Sequence, residues 1–100
     1  MYGTIARFTL KPGTAEDFGK VAAAQDVVAI PGYLGSIVYH SDSNPDECWL
    51  VVSFTDKEAY MKNAGSPEQN ERYQKLVPFF AKEPEWHDGE IVYSHPAATT

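Results

Sequence analysis

Positive charge is in short supply in this chain. Eight lysines and arginines stand against 14 aspartates and glutamates, a net charge of −6 over 100 residues. The basic residues form no cluster, so a phosphate backbone or an anionic membrane surface would be repelled rather than gathered. Cysteine is nearly absent too. The single Cys48 allows no internal disulfide, and its place beside Trp49 in an apolar run reads as a small buried hydrophobe rather than a nucleophile. No apolar run approaches the roughly 18 residues of a membrane span. Residues 1–8 lack a basic stretch followed by an apolar one, so no secretory signal is expected and a cytoplasmic location is. There is no glycine-rich phosphate loop, nucleophile elbow or spaced carboxylate pair. The histidines His40, His87 and His95 fall on different segments, with no i, i+4 pair and no adjacent cysteine. Nucleotide-dependent chemistry is not indicated, and no metal or other cofactor is expected.

What is present is an ordinary globular composition, 43% hydrophobic and 22% charged, without repeats, linkers or low-complexity tracts. The expectation is one small domain over residues 1–100 with a loose tail at 96–100. Its periodic segments, residues 2–10, 14–29, 34–41, 47–54, 66–80 and 90–95, read as β-α-β-β-α-β. That order folds into one antiparallel sheet with the helices on one face, an α+β class. The first strand alternates, with Tyr2, Thr4, Ala6, Phe8 and Leu10 on one side. The third does not: Cys48, Leu50, Val52 and Phe54 occupy one face and Trp49 and Val51 the other. A strand apolar on both sides implies a sheet covered on both sides. Helices supply one cover, and a second copy of the same sheet, meeting Trp49 and Val51, is the expected other.

Local punctuation places the helices. Thr14 with Asp17 predicts an N-cap, and Phe18, Val21, Ala22, Gln25, Val28 and Ala29 recur at helical spacing before Ile30-Pro31-Gly32 stops them. Thr55 with Glu58 predicts the cap of a short helix through Tyr60 and Met61. Ser66-Pro67-Glu68-Gln69 predicts a second, with proline at its first position and Gln69 as the reciprocal partner of Ser66. The inward stripe of that helix is Gln69, Tyr73, Leu76, Val77 and Phe80, and Pro78 distorts its last turn. His87-Asp88-Gly89 predicts a polar turn leading into a last strand at Ile91-Val92-Tyr93-Ser94.

Three stretches together carry a resemblance: Ile5-Ala6-Arg7-Phe8-Thr9-Leu10-Lys11-Pro12-Gly13, Ile30-Pro31-Gly32-Tyr33-Leu34-Gly35, and Val51-Val52-Ser53-Phe54-Thr55-Asp56-Lys57-Glu58-Ala59-Tyr60. The chain resembles the antibiotic biosynthesis monooxygenase family of the dimeric α/β-barrel superfamily. Asn63-Ala64-Gly65-Ser66-Pro67-Glu68-Gln69 and Glu83-Pro84-Glu85-Trp86-His87-Asp88-Gly89-Glu90 look like an uncharacterised actinobacterial-type branch of it. The resemblance implies a ferredoxin-like protomer, a homodimer paired sheet to sheet, and a pocket between sheet and helices. It also implies one of several activities, since the family includes cofactor-free oxygenases of polycyclic phenols and quinols as well as haem-degrading enzymes. The haem-degrading members use an asparagine on the first strand, a tryptophan after the third, and a histidine as axial ligand. Those positions fall near Ala6, Asn63 and Tyr73, none of which matches, although a tyrosine can ligate haem iron. Many other members carry a histidine where Asn63 stands.

In such a pocket Tyr73 and Asn63 are the candidate catalytic residues, placed to hydrogen-bond a developing oxyanion. Gln25 and Gln69 are the further polar candidates for substrate binding, and Phe54, Tyr60, Phe80 and Trp86 the aromatic walls, a mix suited to a small planar aromatic ligand. Each has a plainer reading. Tyr73 fits a core position with its hydroxyl at the rim, Asn63 fits a helix C-cap before Gly65, and Gln69 is explained by Ser66. The expected function is a cofactor-independent monooxygenase of a small aromatic or quinone-like compound. The alternatives are a non-catalytic small-molecule-binding or accessory protein of the same fold and, third, haem binding or degradation.

Overall fold

The computed structural model describes residues 1–25 and 30–95. Strand β1 is Tyr2–Thr9, helix α1 Ala15–Ala23, β2 Tyr33–His40, β3 Glu47–Phe54, α2 Lys57–Ala64, α3 Pro67–Leu76 and β4 Glu85–Glu90. The strands lie in the order β2-β3-β1-β4, every neighbouring pair antiparallel. Burial follows the alternation of β1: Thr4, Ala6 and Phe8 are buried under the helices while Ile5 and Arg7 are exposed on the other face. Phe18 of α1 stands against Phe8 at a centroid distance of 5.4 Å, and Phe80 meets the same ring at 5.3 Å. Leu10 and Cys48 complete this buried cluster, with Ala22, Leu50 and Leu76 packed around it. Burial, and secondarily the charge of Asp46, pushes the Cys48 thiol up, so it stays protonated as the sequence reading expected.

Gly32 joins the end of α1 to β2 with a φ of +78° that side chains rarely adopt. A Cβ there would sit 2.6 Å from that of Ala59, so only glycine lets this turn close on α2. The Gly32 carbonyl then accepts the N–H of Thr55 at 2.8 Å, tying the start of β2 to the end of β3.

Several local expectations are corrected. The last strand is Glu85–Glu90 rather than residues 90–95. His87-Asp88-Gly89 is therefore strand and not turn, with Thr4 opposite Asp88 and Ala6 opposite Trp86. Val92 and Tyr93 lie exposed beyond it. Thr14 precedes α1, but its hydroxyl donates to the Lys11 carbonyl at 2.6 Å and caps no helix N–H. Asp56, not Thr55, caps α2, accepting from the Ala59 N–H at 2.8 Å. Asn63 lies within α2, whose C-cap is Gly65. Helix α3 gives way at Leu76 to a 3₁₀ turn, Val77–Phe79, which leaves Val77 exposed instead of inward. Among the expected residues of helix one, Val28 and Ala29 lie outside the described residues, as does the tail at 96–100.

The outer sheet face has the composition that the third strand foretold. Ile5 and Ile37 flank Val51 on neighbouring strands, and Arg7 and Tyr39 flank Trp49 in the same way. Ile5 is 47% exposed, Ile37 64% and Tyr39 53%.

Candidate functional site

Between the inner sheet face and the helices lies a cavity of about 520 Å³, within the range of small-molecule sites. The strands furnish its floor through Thr4, Leu50, Val52 and Phe54, and α3 furnishes a wall through Gln69, Arg72, Tyr73 and Leu76. Phe80 and Trp86 close one side, each within about 6.2 Å of the Tyr73 ring between centroids. Tyr60 of α2 closes another, edge-on to Phe54 at 5.6 Å. Asn63 and Gln25 also line the space. The fold thus brings all eight expected residues, Tyr73, Asn63, Gln25, Gln69, Phe54, Tyr60, Phe80 and Trp86, to one cavity.

Their polar atoms divide into three groups. The first is an amide and guanidinium network. Asn63 Nδ2 donates to Gln69 Oε1 at 3.2 Å, Arg72 Nε donates to that same oxygen at 3.2 Å, and an Arg72 terminal nitrogen donates to Asn63 Oδ1 at 3.2 Å. Gln25 Nε2 donates to the Arg72 carbonyl at 3.0 Å, pinning α3 to the residues after α1. Ser66 does cap α3 by accepting the Gln69 N–H at 3.1 Å, but the Gln69 side chain makes no reciprocal bond and turns to Asn63 and Arg72. The second group is Tyr73 alone, whose hydroxyl makes no hydrogen bond to the described residues. Burial, with a smaller contribution from Glu83, raises its pKa, so it is a neutral phenol at neutral pH.

The third group lies where Tyr60 meets the sheet, with Asp88 beside the cavity rather than lining it. The Tyr60 hydroxyl donates to Asp88 Oδ1 at 2.8 Å. Burial first, and then this bond to a carboxylate, pushes its pKa up to about 12. The Thr4 hydroxyl tempers that rise from the other side without reaching hydrogen-bond geometry, so the buried Thr4 Oγ1 has no partner among the described residues. Because the folded pKa of Tyr60 lies above the ordinary 10, its contribution to stability is complete below about pH 10 and is lost as pH climbs through about 12. An absorbance titration at 295 nm will therefore show a late-ionising phenol that Tyr60→Phe removes. A wild-type curve lacking that late step would refute the assignment.

Sequence reasoning missed Arg72, Thr4 and Asp88. Arg72 shares its stripe with Gln69, Tyr73 and Leu76 at helical spacing, a signal overlooked because charge is usually solvated. Asp88 could not be placed while its strand was read as a turn. Among the described residues no three His, Cys, Asp or Glu side chains gather to hold a metal ion, and no helix is long and apolar enough to cross a membrane.

A four-stranded antiparallel sheet with helices on one face defines a ferredoxin-like α+β fold, here with a cavity of ligand size between its layers. The chain belongs to the antibiotic biosynthesis monooxygenase family, whose model matches residues 1–75; the match reaches the family and not a branch within it. No curated protein matches the chain. Among solved structures it is similar to SnoaB of Streptomyces nogalater, a cofactor-independent oxygenase, at 16% identity and a TM-score of 0.81, covering 95% of this chain and 96% of that one. A Bordetella bronchiseptica protein provisionally assigned as an antibiotic biosynthesis monooxygenase aligns at 23% identity and a TM-score of 0.80, over 92% and 97% of the two chains. A conserved protein of Methanosarcina mazei aligns at 18% and 0.77, over 88% and 89%. At these identities the likeness is one of fold.

Proposed function

We propose that the chain is a cofactor-independent monooxygenase acting on a small aromatic or quinone-like compound. The observation that carries this reading is an apolar, aromatic-walled cavity lined by one neutral phenol, Tyr73, whose hydroxyl makes no hydrogen bond to the described residues. An electron-rich phenol with an adjacent ring methylene needs little from a protein in order to react with dioxygen. Once its proton has left to water, the anion delocalises onto the ring carbon, and that carbon reduces dioxygen. The balance is CH₂ plus O₂ giving C=O plus H₂O: the carbon loses four electrons, one oxygen stays on it and the other leaves as water. No external reductant enters. Tyr73 would donate to the ring oxygen as its charge develops, and the aromatic walls would hold the ring flat and keep bulk water away. Family membership and the fold shared with SnoaB, itself a cofactor-independent oxygenase, support the same reading.

The test is oxygen consumption with a panel of anthrones and hydroquinones, chelator present. The expected result is one dioxygen consumed per anthrone converted to its quinone, above the spontaneous rate, while a hydroquinone lacking a ring methylene would at most be dehydrogenated with release of hydrogen peroxide; consumption no faster than spontaneous across the panel would overturn the enzyme reading. A second reading, a binding protein that kept the pocket without the chemistry, is favoured by one observation. Tyr60 and Tyr73 are both held protonated, and the Asp88 carboxylate is occupied by Tyr60, so the cavity offers no evident free base. Haem ligation by Tyr73 gains nothing here, since iron takes a tyrosinate and burial works against one.

We also infer that two copies pair through the outer sheet face at Trp49 and Val51, which covers Ile5, Ile37 and Tyr39 and closes the superfamily's barrel from two sheets.

A further inference from the structure

The chain has two arginines, Arg7 and Arg72, and they are treated in opposite ways. Arg7 lies on the outer sheet face and pairs with Glu47 at 3.2 Å. Arg72 lines the cavity and has no carboxylate partner among the described residues. An ion pair was available to it, since Glu68 precedes it by four residues on α3, the arrangement that favours a helix-surface salt bridge. The guanidinium instead turns to the side-chain oxygens of Gln69 and Asn63. Two neutral amides fix its position without neutralising its charge. Of its five N–H donors these bonds take two, and an arginine's planar fork suits a two-oxygen anion.

Location adds the second half of the argument. Arg72, Asn63 and Ile30 line both the cavity and a shallower groove outside it, so the guanidinium stands at the boundary between the apolar interior and the wet rim. That groove also holds Asp56, Glu58 and Glu68, none of them in an ion pair with Arg72 among the described residues, so the half-buried guanidinium has no direct counter-ion and a carboxylate arriving with a ligand would supply one.

We propose that the ligand of this cavity is a planar aromatic acid, its ring among Tyr73, Phe54 and Trp86 and its carboxylate on Arg72 at the mouth. This rests on the cavity being the aromatic site described above and adds the charge of what it takes. Asn63 and Gln69 then act as positioning residues that hold the guanidinium in place.

The experiment compares anthraquinone-2-carboxylate with anthraquinone-2-carboxamide, following quenching of tryptophan fluorescence, in the wild type, Arg72→Gln and Arg72→Lys. A hydrogen bond to a charged group, lost with its partner, costs roughly tenfold or more in affinity. The carboxylate is expected to bind the wild type at least about tenfold tighter than the carboxamide. Arg72→Gln should abolish that preference, costing the carboxylate far more affinity than the carboxamide, and Arg72→Lys, which keeps the charge but loses the fork, should retain part of it. Equal affinities in the wild type, or a preference that survives Arg72→Gln, would overturn the acid while leaving the aromatic pocket standing. Binding of neither compound would overturn the proposal and count against the pocket reading as well. If Arg72→Gln proves unfolded by circular dichroism, the wild-type comparison and Arg72→Lys decide.

Discussion

Val51→Asp is expected to leave folded monomers where the proposed sheet-to-sheet pairing gives dimers. Val51 sits midway across the outer face, with Ile5 opposite it on one neighbouring strand and Ile37 on the other. In a sheet-to-sheet pair this position is removed from water in both copies, so each dimer would bury two carboxylates against isoleucine and tryptophan. The effective penalty is on the order of several kcal/mol per ion, enough to abolish association at micromolar concentration. Within an isolated protomer the same side chain would point to solvent, so circular dichroism should remain that of the wild type. Light scattering is the deciding measurement, and a mass that stays at twice the chain would mean that the copies pair elsewhere.

Tyr73→Phe will lower turnover roughly a hundredfold, the usual cost of removing one oxyanion donor from an enclosed site. The ring survives the change, so its packing on Phe80 and Trp86 and the thermal midpoint should hardly move. The loss should fall on kcat, because the hydroxyl matters only once charge has developed on the substrate oxygen. Unchanged kinetics would make Tyr73 a wall residue only and shift attention to Arg72 as the oxyanion donor.

The fold was legible because two periodicities dominate it. Alternation in β1 and the two-sided apolar run of β3 identified the central strands, whose neighbours on both sides enforce their pattern. The edge strand β4 escaped because Glu85–Glu90 is wholly exposed and carries almost no apolar signal. Its place is set by main-chain pairing to β1, while the β-prone Ile91-Val92-Tyr93 beyond it attracted the assignment. The candidate site was legible where helical spacing gathers residues, as with Gln69, Tyr73 and Leu76. Hydrogen-bond direction was not: Gln69 reads as the partner of Ser66 in sequence, but its amide oxygen finds a better-charged donor in Arg72. Thr14 shows the same competition, its hydroxyl taken by the nearby Lys11 carbonyl.

Under the proposed oxygenation, the sequestration of Cys48 has a consequence. Reactions of electron-rich rings with oxygen leak superoxide and peroxide, which attack thiolates first. Here the sole sulfhydryl is 3% exposed and held protonated, so oxidative damage from a misfired turnover falls instead on the exposed thioethers of Met1 and Met61. Met61 lies on α2 itself, between Tyr60 and Asn63, without lining the cavity, and its sulfoxide is chemically reversible. The by-products of such a reaction would be absorbed at the surface, leaving the sulfur beneath the sheet intact.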